Sequence, residues 1–115
     1  MSSSEPQISI VIPFYNESAT LPTLVQEIHD ALADGPSWEA VLVDDGSTDD
    51  YLDGLAKLNP PVARRIRLVV FRRNLGKSSA LAAGFEHARG RIIVTMDADL
   101  QDDPAELPNL LAKLD

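Results

Sequence analysis

The sequence of 115 residues predicts one α/β domain with three Rossmann-like layers, in which helices cover both faces of a mainly parallel sheet of about four strands. Two observations predict this class. Short apolar runs alternate four times with segments of helical character, an order that is typical of parallel strands joined by crossover helices. Polar or charged residues follow each run, at the edge of the sheet where such folds bind ligands.

The first half of the chain predicts two strands and two helices. Ile and Val dominate residues 7–12 until Pro13 stops the run, and residues 39–43 form the second strand. Ser18 is a suitable cap for the first helix, which is expected to bury Leu21, Leu24, Val25, Ile28 and Leu32. The second helix is expected to have Ser47 or Thr48 as its cap, an apolar stripe of Leu52, Leu55, Ala56 and Leu58, and an end at Asn59-Pro60-Pro61.

The second half repeats the pattern twice. A third strand is predicted over residues 66–71, an Ala-rich helix over residues 78–89 with Gly90 as its stop, and a fourth strand over residues 92–95. The last helix is expected to start with Asp103 as cap, Pro104 at the first position and Glu106 at the third, and to bury Leu107, Leu110, Leu111 and Leu114.

Composition excludes several classes of function. The net charge of −8 argues against non-specific nucleic-acid binding, and the absence of cysteine excludes disulfides and thiolate metal sites. No apolar run approaches the roughly 20 residues that span a bilayer. Residues 1–6 lack the features of a signal peptide and are expected to be a disordered tail. We therefore expect a cytoplasmic location, which for a longer natural protein would be at the cytoplasmic face of the membrane.

The charges are unevenly distributed along the chain. Residues 1–56 contain no Lys or Arg, whereas eight of the ten cations lie between Arg64 and Arg91. An acidic first half and a basic middle can together enclose a phosphate ligand and its metal, although solvated surface charge explains most single residues equally well.

Asp97 and Asp99 indicate a site for a divalent cation. They follow the fourth apolar run, and residues two apart on an extended chain point the same way, with only Ala98 between them. Carboxylate oxygens are the ligands that Mg²⁺ and Mn²⁺ prefer, and these ions often bridge a few carboxylates to phosphates. The sequence therefore predicts Asp97 and Asp99 as metal ligands.

Asp44-Asp45-Gly46 follows the second strand and allows two interpretations. The carboxylates can cap a turn and a helix, as Asp often does. They can also hydrogen-bond to a nucleobase or a ribose, as acidic residues do at the end of the second strand in dinucleotide folds. Gly46 would allow a close approach of the backbone to a ligand or a positive φ.

The loop after the third strand carries Arg73 and Lys77. Gly76-Lys77-Ser78 is not a P-loop, because Phe71 occupies the position of the required first glycine. Arg73, Lys77 and the following helix N-terminus can face a diphosphate, or they can form a basic surface loop. His29 and His87 fall on predicted helices away from the strand ends and are expected to be structural or surface residues.

Four motifs together resemble a known family. Residues 11–17 (VIPFYNE), 43–49 (VDDGSTD), 73–77 (RNLGK) and 96–102 (MDADLQD) stand in the order and spacing of family 2 glycosyltransferases with the GT-A fold. The resemblance covers nearly all of residues 7–115 and corresponds to the N-terminal, nucleotide-sugar-binding half of that domain, a partial GT-A fold. The form of the last motif resembles the branch that transfers sugars to polyprenyl or dolichyl phosphate.

The resemblance implies a nucleotide-diphosphate sugar, UDP- or GDP-linked, bound with Mg²⁺ or Mn²⁺. It implies that Asp97 lies near the ribose and the metal and that Asp99 is the direct metal ligand. It leaves Asp44 and Asp45 open as the base contact, with Asp45 preferred. The residues that it assigns to the nucleotide-sugar site are Pro13, Tyr15, Glu17, Asp44, Asp45, Lys77, Asp97, Ala98, Asp99 and Gln101.

The resemblance also implies what these residues lack. The catalytic general base of such enzymes comes from a later segment, so we expect it beyond Asp115, together with the site for a lipid-phosphate or glycan acceptor. The chain is then an incomplete and inactive fragment, whose fourth strand exposes an edge that favours self-association. Two alternatives are a non-catalytic nucleotide-binding or assembly module and a sugar-nucleotide pyrophosphorylase-like enzyme. The second is disfavoured because residues 13–17 contain no glycine.

Overall fold

Four parallel strands form one sheet at the centre of the computed structural model, which describes residues 5–114. The strands are β1 (Ile8–Phe14), β2 (Trp38–Asp44), β3 (Ile66–Val70) and β4 (Ile92–Thr95), in the order β3-β2-β1-β4. The direction of winding reverses at β1, so the carboxyl ends of β1 and β4 flank the switch point where such sheets bind ligands.

Helices cover both faces of the sheet, which confirms the predicted α/β class. One face packs against α1 (Leu21–Leu32), α2 (Tyr51–Ala56), α3 (Pro60–Ala63), a 3₁₀ turn (Pro104–Glu106) and α5 (Leu107–Ala112). The other face packs against α4 (Lys77–His87). The five predicted apolar residues of α1 are all buried. Because helices cover both faces, β1 and β2 are buried along almost their whole length. This explains why their sequences are mostly apolar rather than alternating.

β1 continues through Pro13, where the sequence predicted its end. The Val11 carbonyl accepts a hydrogen bond from Met96 N–H, so the missing N–H of Pro13, two residues on, faces the same side of the strand. Pairing with β4 has already ended at Val11, whereas pairing with β2 continues to Phe14. Proline is tolerated there because it leaves no ladder hydrogen bond unmade.

The predicted starts of the first two helices are wrong. Thr20, not Ser18, precedes α1, and Asp50, not Ser47 or Thr48, precedes α2. In α2, Tyr51 and Leu55 are buried, whereas the predicted Leu52 is 56% exposed. The reason is Tyr51, which donates a hydrogen bond from its hydroxyl to Asp44 Oδ2 at 2.7 Å and packs edge-on against Phe14.

Two predicted helix ends are also wrong. Pro60 and Pro61 begin the short helix α3, since proline fits the first turn of a helix. Gly90 does not end α4, which stops at His87. A Cβ at Gly90 would come within 2.6 Å of Ser9 N, so glycine is needed there for the close passage of the chain across β1.

The predicted start at Pro104 is the start of the 3₁₀ turn, which Asp103 caps, and the last helix, α5, begins three residues later at Leu107. The Asp103 carboxylate accepts a hydrogen bond from Ala105 N–H at 3.0 Å, which confirms the cap. Of its predicted apolar face, Leu107 is buried, but Leu110 and Leu114 are exposed.

β4 lies at the edge of the sheet, as predicted, and Ile93 on it is 43% exposed. Of the predicted disordered tail, residues 1–4 lie outside the described residues, while Glu5 is exposed and Pro6 is buried. None of the helices within residues 5–114 is long and apolar enough to cross a membrane.

Candidate functional site

A cleft of about 300 Å³ opens at the carboxyl ends of β1, β2 and β4. The loops that follow all four strands meet around it, as expected for a switch point. Its lining comprises Pro13, Phe14, Tyr15, Glu17, Asp45, Lys77, Asp97, Ala98 and Asp99. Eight of the ten residues assigned to the site by resemblance are therefore brought together, and Asp44 and Gln101 are not.

The two carboxylates at the carboxyl end of β2, Asp44 and Asp45, face in different directions. Asp44 is 3% exposed, and it accepts hydrogen bonds from Tyr51 Oη at 2.7 Å and Ser47 N–H at 2.6 Å. Burial, and next the hydrogen bond to Asp44, raise the pKa of the Tyr51 phenol, so it stays a donor. Asp45 lines the cleft, so only Asp45 is placed to meet a ligand there.

Asp45 also holds the loop between β3 and α4. Its Oδ1 accepts a hydrogen bond from Leu75 N–H at 2.7 Å, and its Oδ2 one from Gly76 N–H at 3.1 Å. Gly46 has φ of +83°, and a Cβ there would collide with the backbone of Arg73 and Asn74. Glycine is needed at this position because the loop between β3 and α4 packs directly against it. This packing places Lys77 at the wall of the cleft.

Asn16 connects the loops after β1 and β2, a role that sequence reasoning missed. Its side-chain oxygen accepts hydrogen bonds from Thr48 N–H at 2.8 Å and Asp49 N–H at 3.2 Å, and its own N–H donates to Ser47 Oγ. Asn16 has φ of 53°, a conformation that asparagine tolerates better than most residues. An asparagine two residues after the end of an apolar strand was the available signal.

Lys77 and Asp97 form an ion pair across the cleft, with Nζ and Oδ1 2.9 Å apart. The hydrogen bond with Asp97, followed by the charge of that carboxylate, raises the pKa of Lys77 above its ordinary value. The loop after β4 is closed by a hydrogen bond, which Asp97 N–H donates to Asp102 Oδ2 at 3.0 Å. Asp102 thus holds the loop in its closed conformation.

The pair Asp97 and Asp99 fits a hard divalent cation. Asp97 uses Oδ1 for Lys77, and Asp99 uses Oδ1 for Gln101 N–H at 3.2 Å, so each keeps Oδ2 without a hydrogen-bond donor from residues 5–114. The described residues contain no group of three or more acidic or histidine side chains that could hold a metal. Two carboxylates completed by phosphate oxygens and water are a donor set that Mg²⁺ and Mn²⁺ accept.

A hydrogen bond joins the loop of Asp97 to the start of α1. Thr20 Oγ1 lies 2.6 Å from the Ala98 carbonyl and 3.1 Å from Glu17 Oε2. The hydroxyl has one proton for two acceptors, and the shorter distance assigns it to Ala98. This hydrogen bond fixes the loop of Ala98 against the start of α1, on the side of the cleft where Glu17 lies.

The remaining candidates lie elsewhere. Gln101 borders a separate groove beside β4 and α5, and Arg73 is exposed and does not line the cleft. His29 and His87 lie on α1 and α4 away from the cleft, as predicted. A larger and more apolar cleft of about 670 Å³ lies at the amino ends of β1 and β4, but it lacks the carboxylate pair and the lysine.

Known proteins are similar to this chain in sequence and in fold. The family model described as Glycosyl transferase family 2 matches residues 9–115. An undecaprenyl-phosphate 4-deoxy-4-formamido-L-arabinose transferase from Salmonella paratyphi B is 41% identical over 110 residues, which are 95% of this chain and 34% of that protein. The chain thus spans about a third of the curated relatives that it matches.

Two solved structures share the architecture. A mannosyltransferase from Pyrobaculum calidifontis, in complex with GDP-Man and Mn²⁺, superposes with a TM-score of 0.71 at 31% identity, over 84% of this chain and 28% of that one. Glucosyl-3-phosphoglycerate synthase from Mycobacterium tuberculosis, in complex with Mn²⁺, UDP and glucosyl-3-phosphoglycerate, gives 0.72 at 29% identity, over 95% and 39%.

Proposed function

The chain belongs to glycosyl transferase family 2, and from this premise we propose that its cleft binds the nucleotide-diphosphate sugar from which the sugar is transferred. One observation carries the proposal: Asp45, Asp97, Asp99 and Lys77, from three different loops, converge on a single cleft at the switch point of the sheet. Scattered surface charge would not bring three carboxylates and their counter-ion to one place.

The proposed roles follow from the chemistry of the donor. Sugar transfer releases a nucleoside diphosphate, and a bound Mg²⁺ or Mn²⁺ stabilises the negative charge that develops on it. Asp99 and Asp97 hold that cation through their free oxygens, with Asp97 also near the ribose. Lys77 can turn from Asp97 to the diphosphate, since its side chain is 64% exposed.

The nucleoside is proposed to occupy the opposite side of the cleft. Asp45 accepts hydrogen bonds from the base of a UDP- or GDP-linked donor. It also holds the loop that carries Lys77. Pro13, Tyr15 and Glu17 form the wall against the nucleotide, and Tyr15 is 46% exposed and available for contact. Gln101 would reach the diphosphate or the sugar only after its loop moves towards the cleft.

The acceptor is proposed to be a polyprenyl phosphate. The support is the 41% identity to a transferase that acts on undecaprenyl phosphate, and a site for such an acceptor would lie at the cytoplasmic face of a membrane. The acceptor site and the general base are proposed to lie in sequence beyond these 115 residues, which cover only a third of that relative. The family match favours transfer over pyrophosphorylase-like chemistry.

Self-association is proposed to occur through β4. The strand has one neighbour, β1, and its other edge is unpaired within the described residues. Unpaired edges favour addition of a further strand. Light scattering over a range of concentrations should show a mass that rises above that of a monomer, and a constant monomer mass would contradict the proposal.

The donor proposal is tested by calorimetry with UDP- and GDP-sugars, with and without Mn²⁺. Binding of at least one donor is expected to require Mn²⁺, and Asp99→Asn is expected to weaken it about tenfold or more, which is about 1.4 kcal/mol. Asp34→Asn, which removes an exposed carboxylate remote from the cleft, is the matched control. Binding without dependence on Mn²⁺ or Asp99 would leave a non-catalytic binding module as the better account.

A further inference from the structure

Four arginines line a second cleft of about 510 Å³ that the donor site does not use. They are Arg64, Arg65, Arg67 and Arg89, and the cleft lies at the amino ends of β2 and β3. β1 is seven residues long, so the two clefts lie at opposite edges of the sheet, roughly 20 Å apart at about 3.3 Å per residue. We call this second site the arginine cleft.

A buried carboxylate orients two of these arginines. Glu39 is 6% exposed and accepts hydrogen bonds from Ser9 Oγ at 2.6 Å and from Arg89 N–H at 2.8 Å. Arg67 Nε lies 3.4 Å and Arg89 Nε 3.9 Å from its Oε1. Both arginines therefore face the carboxylate through Nε, and their terminal nitrogens have no acceptor among residues 5–114.

The other two arginines lie at the mouth of the cleft. Arg65 donates from Nη1 to the Trp38 carbonyl at 3.2 Å, and its guanidinium carbon lies 5.5 Å from the centre of the Trp38 ring. These contacts fix its position without neutralising its charge. Arg64 is exposed and forms no ion pair within the described part of the chain.

The charges of the arginine cleft do not balance. Among residues 5–114, four guanidiniums face two carboxylates, Glu39 and the exposed Glu5, which lies 3.7 Å from Arg89 Nε. The need to compensate the buried Glu39 accounts for one cation and not for four. An excess of two positive charges is concentrated here in a chain whose net charge is −8.

We propose that the arginine cleft binds a phosphate group. Guanidinium presents several N–H donors in a fixed plane and binds phosphate in a bidentate manner, and the terminal nitrogens of Arg67 and Arg89 are unused. The same chemistry fits a free phosphorylated molecule and the phosphate of a lipid headgroup. The proposal does not depend on the donor function, since the two clefts share no residue.

The test is a titration with inorganic phosphate in the absence of divalent metal. Binding is monitored by NMR through the chemical shifts of the backbone amides. The amides of residues 37–39, 64–67 and 89–90 are expected to shift together and to saturate, whereas that of Ala98 in the donor cleft is not. Arg64→Glu is expected to weaken binding about tenfold or more. Lys113→Glu, the same change of charge on the exposed end of α5, is expected to leave it unchanged.

A second arm identifies the source of the phosphate. The protein is sedimented with vesicles of phosphatidylcholine alone and with vesicles that also contain phosphatidic acid. Co-sedimentation only with the second kind, and its loss in Arg64→Glu, would support a lipid headgroup. Saturable phosphate binding without vesicle binding would support a free phosphorylated molecule. The proposal is overturned if the shifts do not saturate, or if Lys113→Glu weakens binding as much as Arg64→Glu does.

Discussion

Lys77 Nζ lies 2.9 Å from Asp97 Oδ1, so a lysine occupies the position of counter-ion to a carboxylate that we assign to the metal. Both side chains are substantially exposed, at 64% and 44%, and an ion pair of this kind is weak enough to exchange partners. A cation on Asp97 and a diphosphate beside it would each attract one half of the pair. The ion pair is therefore expected to open when the donor binds.

Lys77→Gln is expected to have opposite effects on the metal and on the donor. Mn²⁺ alone should bind more tightly, because the lysine no longer competes for Asp97, whereas a nucleoside diphosphate in the presence of Mn²⁺ should bind more weakly. Calorimetry with Mn²⁺, then with UDP or GDP, measures both. Lys113→Gln is the control, and affinities that change in the same direction would show that the two partners do not exchange.

Asp45→Ala is expected to release the loop that carries Lys77. The carboxylate accepts hydrogen bonds from Leu75 N–H at 2.7 Å and Gly76 N–H at 3.1 Å, and removing an acceptor from such groups costs about 1–3 kcal/mol. Hydrogen exchange at these two amides should accelerate, while exchange at Val43 within β2 should follow only the change in global stability. Asp45→Asn should be intermediate, since it keeps one acceptor, and equal protection of the loop in all variants would contradict the role.

The sequence allowed the fold and the cleft to be predicted, because both depend on local patterns. Apolar runs mark the strands, and loops after parallel strands must share one edge, so Asp45, Lys77, Asp97 and Asp99 were expected together. What escaped prediction depends on partners far along the chain. The hydroxyl of Tyr51 donates to Asp44, which orients α2, and Asn16 accepts hydrogen bonds from the loop after β2. Arg67 on β3 and Arg89 in the loop before β4 both contact Glu39.

Tyr51→Phe is expected to reduce the free energy of unfolding. It is also expected to make that free energy less sensitive to a rise in pH above 10. The loss of the 2.7 Å hydrogen bond leaves Asp44 buried with one donor fewer, at a cost of about 1–3 kcal/mol. Burial and then Asp44 raise the pKa of the Tyr51 phenol in the folded chain, so its contribution is complete below the ordinary tyrosine pKa of 10.0 and is lost as the pH rises above it. Urea denaturation from pH 8 to 11 should show a steeper loss in the parent than in the variant. Tyr15→Phe, at an exposed position, should keep the steep loss.

Gly46→Ala is expected to be the most disruptive of three matched glycine substitutions. At Gly46 both φ, at +83°, and the backbone of Arg73 and Asn74 oppose a Cβ, so the change should cost about 2 kcal/mol or more and displace the loop of Lys77. At Gly76 φ is +101° and ψ is 160°, a region that only glycine adopts readily, but a Cβ would meet nothing within 4 Å, so backbone strain alone, of about 1–3 kcal/mol, is expected. At Gly35 a Cβ would meet only Leu32 O at 3.7 Å, and the change should stay within about 0.5 kcal/mol. Urea denaturation ranks the three, and equal costs at Gly46 and Gly76 would show that contact with the loop adds nothing to backbone strain.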